Sequence, residues 1–137
     1  MIENAVAVGP AGSRRSPPPP ADIPFTELDI AVCSEGQNTV LALAGELDVE
    51  TARVLAPRLD MLHENSRRRL VIDISALTFC DCSGLGALAR ANRRAVETGG
   101  WVRLCGATEN VQKIIGIAGV SSVLHCYAGV AEALAGL

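Results

Sequence analysis

The sequence predicts an α/β domain in which a mixed, mostly parallel β-sheet is covered by about four helices. Two observations lead to this prediction. Apolar residues make up 49% of the 137-residue chain but aromatic residues only 3%, so the chain can bury a core that must be aliphatic. Runs with strand periodicity also alternate with runs of helical periodicity, in the order β-β-α-β-α-β-α-β-α. Right-handed crossovers would make the later strands parallel to one another.

Five segments have the length and residue types of strands. The first, with alternating apolar residues, begins at Leu28 and ends before Gly36. The apolar run 39–44 follows after a short polar connection, which predicts a hairpin. Residues 45–48 should break this second strand. The other strands are predicted at residues 70–74, 101–105 and 123–127.

Four segments have the apolar spacing of amphipathic helices. The first follows residue 48, although Pro57 conflicts with it because proline lacks an amide hydrogen. The second spans residues 83–98 and ends at the glycine pair that follows. Its inward face is predicted to contain Leu85, Leu88, Ala89 and Val96. The last two helices are predicted at residues 110–117 and 130–134.

Residues 1–24 are predicted to be a disordered, proline-rich tail, and residues 25–137 the folded domain. Six of the seven prolines lie in this tail, so it can bury little apolar surface. The N-terminus has no basic region followed by an apolar stretch, and no apolar run approaches the length of a membrane span. We therefore expect a cytoplasmic protein without a membrane partner.

Charge and residue types argue against several kinds of site. The 12 basic and 15 acidic residues leave a net charge of −3, without the basic excess or stacking aromatics of nucleic-acid-binding proteins. The five cysteines are odd in number and lack Cys-x-x-Cys spacing, so neither disulfides nor a metal site is expected. Cys33, Cys105 and Cys126 should act as small hydrophobic residues. No cofactor is expected.

Residues 77–87 are the most informative segment, because they join a buried strand to an amphipathic helix. Ser83 occupies the predicted N-cap position, where a hydroxyl accepts a hydrogen bond from an early helical amide. Gly84 and Gly86 weaken the first turn but leave the backbone open to another molecule. A helix N-terminus is also suited to a phosphate or another anion. Ser83 could equally be only a helix cap.

This segment does not match the known catalytic motifs. Residues 84–89 fit the dinucleotide pattern G-x-G-x-x-G/A, but about nine residues separate Ile74 from Gly84. The expected acidic residue at the end of the next strand is replaced by Cys105 and a glycine. G-x-S-x-G and the phosphate-binding loop motif are absent, and no histidine is placed to activate Ser83. The sequence therefore predicts a protein that is not an enzyme.

Several short motifs occur together at a spacing typical of one protein family. They are Gly-Glu-Leu-Asp at 45–48, Asp73, Thr-Phe-Cys-Asp-Cys-Ser-Gly-Leu-Gly at 78–86, Gly-Gly at 99–100 and Gly-Ile-Ala-Gly-Val at 116–120. In these motifs the chain resembles the STAS domain, and more narrowly the bacterial anti-sigma factor antagonists. The resemblance covers about residues 28–135 and implies a STAS-type sandwich fold.

The resemblance implies a protein-binding switch. In this family the domain binds an anti-sigma factor that is a GHKL-type serine kinase, so that the sigma factor is released. The kinase phosphorylates a serine of the motif, by position Ser83, and a phosphatase removes the phosphate. Cys82 stands where relatives often have Ser or Thr. The implied partner-binding residues are Asp48, Asp81, Cys82, Ser83, Gly84 and Leu85, in a monomer or weak dimer.

Two other functions remain open. Cys82 at a helix N-terminus could be a redox- or ligand-sensing thiolate, although the neighbouring carboxylate of Asp81 disfavours that form. Alternatively, the domain could be a scaffold module in a signalling complex, without phosphorylation. Asp48 could be only a helix cap and Asp81 a loop-capping carboxylate, and both roles are compatible with partner binding.

Overall fold

A computed structural model of the protein describes residues 28–136. In this part of the chain the nine elements follow the predicted order. The strands are β1 (Leu28–Glu35), β2 (Asn38–Leu47), β3 (Arg69–Cys80), β4 (Trp101–Cys105) and β5 (Cys126–Tyr127), and the helices are α1 (Val49–Glu64), α2 (Cys82–Glu97), α3 (Glu109–Ala118) and α4 (Val130–Ala135). The tail predicted at residues 1–24 and the domain start predicted at residue 25 lie outside the described residues.

The strands form one mixed, mostly parallel sheet, as predicted. Their order is β1-β2-β3-β4-β5, so each strand pairs with its neighbour in sequence. β1 and β2 form the antiparallel hairpin, while the pairs β2–β3, β3–β4 and β4–β5 are parallel. The carboxyl ends of β2 to β5 therefore lie along the same edge of the sheet.

The helices cover both faces of this sheet. Because successive strand residues point to opposite faces, neighbouring residues of β3 and β4 enter different cores. The larger core combines the sheet with α1, α2 and α3, and includes Leu41, Ile72, Leu104, Leu55, Leu85 and Ile115. The smaller core packs Ala133 of α4 against Val71 and Cys105. The result is a sandwich with three helices on one face and the short α4 on the other.

β2 and β3 are longer than predicted. Residues 45–47 do not break β2, because β2 and β3 continue to pair through Gly45–Leu77 and Leu47–Cys80, and the strand ends only before Asp48. The extension passes two register shifts, between Ala42 and Ala44 and between Gly45 and Glu46. Gly45 has a φ of 111°, a conformation that glycine adopts without strain. Only pairing between distant segments keeps these residues in the sheet.

The inward face of α2 differs from the prediction at one position. Leu85, Leu88 and Ala89 are buried, but Val96 is 58% exposed. The buried polar residue Asn92 takes part in this face instead. Its Nδ2 donates to the Val123 carbonyl over 3.0 Å, and its Oδ1 accepts from the Val102 amide over 2.9 Å. Asn92 therefore links α2 to β4 and to the turn before β5.

Pro57 lies inside α1 without ending it. Its missing amide hydrogen would have bonded to the carbonyl of Arg53, one turn earlier. Both residues are exposed, so water can reach that carbonyl. The helix therefore continues past Pro57 despite the hydrogen bond that this proline cannot form.

β5 is shorter than predicted, because the residues before it form a turn. The amides of Val123 and Leu124 both donate to the carbonyl of Val120, over 2.9 and 2.8 Å. These bonds satisfy the backbone locally and leave only Cys126–Tyr127 to pair with β4.

The cysteines differ in exposure. Cys105 is buried as predicted, but Cys33 and Cys126 are exposed, so the prediction that they act as small hydrophobic residues is wrong for those two. Cys33 belongs to the outer strand β1 and follows Val32, which packs on the larger core, so it points away from that core. Residues 28–136 contain no group of three or more His, Cys, Asp or Glu side chains that could hold a metal ion. None of the helices described is long and apolar enough to cross a membrane.

Candidate functional site

The predicted site lies where β2 and β3 end side by side. Leu47 and Cys80 are paired as the last residues of the two strands. The Asp81 amide donates to the Leu47 carbonyl over 3.1 Å, which extends the contact by one residue. Each strand leads directly into a helix, so Asp48 at the start of α1 and Asp81 at the start of α2 come together at one edge of the sheet.

Asp48 caps α1. Its Oδ1 accepts hydrogen bonds from the amides of Glu50 and Thr51, over 3.0 and 2.9 Å. In return, Thr51 Oγ1 accepts from the Asp48 amide over 2.9 Å, which completes a capping box. Thr51 Oγ1 also donates to the Glu46 carbonyl over 2.8 Å. These bonds fix the position of Asp48, so the cap predicted as its alternative role is present.

Asp81 caps α2, and Ser83 does not, contrary to the prediction. The Oδ1 atom of Asp81 accepts from the Gly84 amide over 2.9 Å, and Asp81 has the extended backbone of an N-cap. Since β3 continues to Cys80, the helix begins at Cys82, and Ser83 is its second residue. The Ser83 side chain is exposed, and its hydroxyl has no hydrogen-bond partner within residues 28–136.

Gly84 and Leu85 belong to the packing beneath the site. A Cβ atom on Gly84 would lie 2.5 Å from Leu47 Cγ and 2.9 Å from the Leu47 carbonyl oxygen. Glycine therefore allows α2 to approach the end of β2, and Leu47, rather than another molecule, fills the space beside it. Leu85 is fully buried. Both were predicted as partner contacts, but in this structure Leu85 points into the core and Gly84 is buried against β2.

The environment of the loop is acidic. Glu46, Asp48, Glu50 and Asp81 all lie at this edge, at the ends of β2 and β3 or in the first turn of α1. The first turn of α2 contains no acidic residue, so its free amides give the Ser83 region a partial positive charge. Ser83 is thus an exposed hydroxyl on a helix N-terminus with carboxylates nearby.

The two cysteines that flank Asp81 are unlike each other. Cys80 is buried, and burial raises its pKa to about 12, with smaller contributions from the charges of Asp81 and Cys82. Cys80 therefore keeps its proton at neutral pH. Cys82 is exposed in the first turn of α2, next to Ser83.

Two exposed apolar residues near the site were not identified from the sequence. Phe79 is 47% exposed and is paired with Glu46 near the end of β3, and Val49 is 53% exposed directly after Asp48. Strand alternation would have marked Phe79 as an outward residue only if β3 were known to reach Cys80. An exposed aromatic residue beside a loop is a common feature of a protein-binding surface.

Only three residues separate the end of β3 from Gly84, so the spacing does not exclude a dinucleotide site, contrary to the prediction. The structure provides a different argument. The space that a pyrophosphate would need next to the glycine backbone is filled by Leu47. At the end of β4, moreover, Cys105 and Gly106 occupy the place of the acidic ribose ligand.

Comparison with known protein families identifies the family to which this fold and this site belong. The model of the STAS domain matches residues 30–133, which is most of the chain. This chain belongs to the STAS domain family. The five-stranded mixed sheet with four helices is the STAS fold of its structural neighbours.

Individual relatives are distant in sequence. The anti-sigma F factor antagonist of Paenibacillus polymyxa is 24% identical over 96 residues, which cover 69% of this chain and 82% of the relative. The crystal structure of an anti-sigma factor antagonist from Mycobacterium paratuberculosis is 24% identical and superposes with a TM-score of 0.73, covering 80% of this chain and 93% of the other.

A second similar protein of known structure is the anti-sigma factor antagonist SpoIIAA, a Bacillus cell fate determinant that has been solved with and without phosphorylation. The unphosphorylated form is 19% identical with a TM-score of 0.68, and it covers 77% of this chain and 93% of the other. The phosphorylated form is 19% identical with a TM-score of 0.59, and it covers 81% and 97%.

Proposed function

We propose that this STAS domain is an anti-sigma factor antagonist and that phosphorylation of Ser83 switches off its binding to an anti-sigma factor serine kinase. The observation that carries the proposal is the Ser83 side chain, exposed and without a hydrogen-bond partner in residues 28–136, on the first turn of α2. A relative that bears the name anti-sigma F factor antagonist and a neighbour solved in a phosphorylated form support it. In this function the protein is a cytoplasmic regulator and a substrate of its partner rather than an enzyme.

The switch surface that we propose consists of exposed or half-exposed residues around Ser83. They are Asp48, Val49, Phe79, Asp81, Cys82 and Ser83. The apolar part offers contact area to the kinase, while the carboxylates fix its orientation. Gly84 and Leu85 act indirectly, since their packing against the sheet holds this first turn in place.

Phosphorylation changes the charge of this surface. The kinase transfers the γ-phosphoryl group of ATP to Ser83 Oγ, and ADP and the hydroxyl proton are released. The phosphate brings a charge of about −1.5 to −2 at neutral pH. Added to the nearby carboxylates of Asp48 and Asp81, this charge opposes a partner that fits the unmodified serine. A phosphatase that removes the phosphate restores binding.

The test is a phosphorylation assay with a GHKL-type serine kinase encoded beside a sigma factor in the same genome. We expect intact-mass spectrometry to find one added phosphate on the wild-type protein and on Ser122→Ala, an exposed-serine control. Ser83→Ala should remain unmodified but still bind the kinase in a pull-down, and Ser83→Asp should bind more weakly. Phosphate on another residue, or equal binding of all variants, would contradict the proposal and favour a scaffold module.

A further inference from the structure

We propose that the groove between α1 and α2 is a binding site for a small amphiphilic anion, a short aliphatic chain that ends in a carboxylate or phosphate. A cavity of about 260 Å³ lies in this groove. Ser83 is not among its lining residues, so this inference does not depend on the switch described above.

The cavity exists because small side chains face each other across the groove. Ala56 of α1 and Ala87, Ala91 and Ala95 of α2 all line it, and alanine is too short to fill the space between two helix backbones. Its deeper wall is apolar, with Leu59 and Val102 almost fully buried. The volume is slightly below the usual range for ligand pockets, roughly 300–1,000 Å³, so the ligand must be small.

The rim of the same cavity is basic, in a protein with a net charge of −3. Arg67, Arg90 and Arg94 line it together with His63, and Asp60 is the only acidic lining residue. Arg94 forms an ion pair with Asp60, which ties α2 to α1. Arg67 and Arg90 form no ion pair with any other residue in the part of the chain that the structure describes.

The apolar floor of the groove favours an aliphatic chain in the ligand, and the two unpaired guanidinium groups at the rim favour an anionic head group. Guanidinium groups bind carboxylate and phosphate oxygens through paired, charge-assisted hydrogen bonds. At the rim itself, Arg94 Nη1 donates one such charge-assisted hydrogen bond to Asp60 Oδ1. An aliphatic chain of a few carbons would cover the exposed part of Ala91 and the floor beneath it, which a bare inorganic anion cannot do.

The proposal is tested by titrating the full-length chain with four probes in a calorimeter or by NMR. Hexanoate and hexyl phosphate carry both parts of the predicted ligand and differ in their head group. Acetate lacks the chain, and hexanamide lacks the charge. We expect saturable binding of at least one of the first two, with acetate and hexanamide at least about tenfold weaker, a factor equivalent to about 1.4 kcal/mol.

Two arginines of α2 provide a matched pair of variants. Arg90→Gln removes a rim cation and should weaken binding about tenfold, as expected for the loss of a charge-assisted contact. Arg93→Gln removes the same charge from an exposed position that does not line the cavity, and should leave binding unchanged. Ala91→Leu should fill the groove and abolish binding, provided that circular dichroism shows a folded domain.

Three results would overturn the proposal. They are the absence of saturable binding by both hexanoate and hexyl phosphate, equal losses in Arg90→Gln and Arg93→Gln, and hexanamide binding as tightly as hexanoate. The arginine pair decides the matter even if Ala91→Leu does not fold, because both arginines are replaced at the protein surface.

Discussion

The two glycines near the start of α2, Gly84 and Gly86, should respond to alanine in opposite ways. At Gly84 a Cβ atom would lie 2.5 Å from Leu47 Cγ and 2.9 Å from the Leu47 carbonyl oxygen, both closer than van der Waals contact allows. At Gly86 the nearest atom is the end of the Arg90 side chain, 3.6 Å away, which is an ordinary contact. Comparing alanine substitutions at the two positions therefore distinguishes the effect of packing from the effect of helix propensity within one helix.

The expected magnitudes follow from these distances. Alanine is better than glycine inside a helix by about 0.8–1.0 kcal/mol, and Gly86→Ala should gain most of this. Gly84→Ala has the same gain but must displace the end of β2, and overpacking of a filled site costs typically about 1–3 kcal/mol. Leu47 is fully buried, and its carbonyl accepts from the Asp81 amide, so it has little room to move. The overpacking cost should therefore lie in the upper part of this range, about 2–3 kcal/mol, which leaves a net loss of about 1–2 kcal/mol for Gly84→Ala.

Urea denaturation followed by circular dichroism measures both free energies of unfolding. The midpoint should fall for Gly84→Ala and rise for Gly86→Ala, with unchanged dependence on urea concentration. If both variants were stabilised equally, the close approach of α2 to β2 would not constrain Gly84, and the packing account of this glycine would be refuted.

Three further predictions concern the site and the buried thiols. Phe79→Ala should weaken kinase binding in a titration but change the urea midpoint little, because this ring is half exposed; a large loss of stability would contradict its place on the switch surface. Asp81→Ala should lower the free energy of unfolding by about 1 kcal/mol through loss of the α2 cap, and Asp81→Asn should lose less. Burial raises the pKa of Cys80 from 9.0 to about 12 and that of Cys105 to about 11, so the unfolded chain loses these protons first. The free energy of unfolding should therefore fall as pH rises above 9.0, and it should fall less in Cys80→Ala. A rise with pH, measured by urea denaturation, would contradict this.

The element order could be predicted because each element has a local periodicity of its own. The ends of β2 and β3 could not, because residues 45–47 and 77–80 are held in strands by pairing with each other across the sheet. The early end predicted for β3 also led to the wrong N-cap for α2 and to the wrong spacing between β3 and Gly84. With β3 ending early, the sequence predicts Ser83 as the N-cap of α2 and Asp81 as a loop-capping carboxylate, whereas the extended backbone and the Gly84 hydrogen bond of Asp81 make it the cap.

Burial was harder to predict than helical structure. Leu85 lies on the predicted inward face of α2 and was also assigned to the partner surface through the family resemblance, and its complete burial favours the first role. Val96 was predicted to face inward because it is apolar, and Asn92 was assigned to neither face. The amide of Asn92 is buried because the Val102 amide and the Val123 carbonyl satisfy it, which no helical pattern reveals.

Phosphorylation of Ser83 should act on binding far more than on folding. Within the domain, the α2 N-terminus favours the new negative charge by about 0.3–1 kcal/mol, while the Asp81 carboxylate opposes it, so the two effects act in opposite directions. Ser83 is exposed and its hydroxyl has no hydrogen-bond partner in residues 28–136, so no intramolecular contact of that side chain is lost. Binding of a partner to the same surface gains nothing comparable. The partner must remove water from the phosphate beside carboxylates, which costs free energy. In the function that we propose, an exposed serine next to capping aspartates would thus let the modification control association while the fold remains intact.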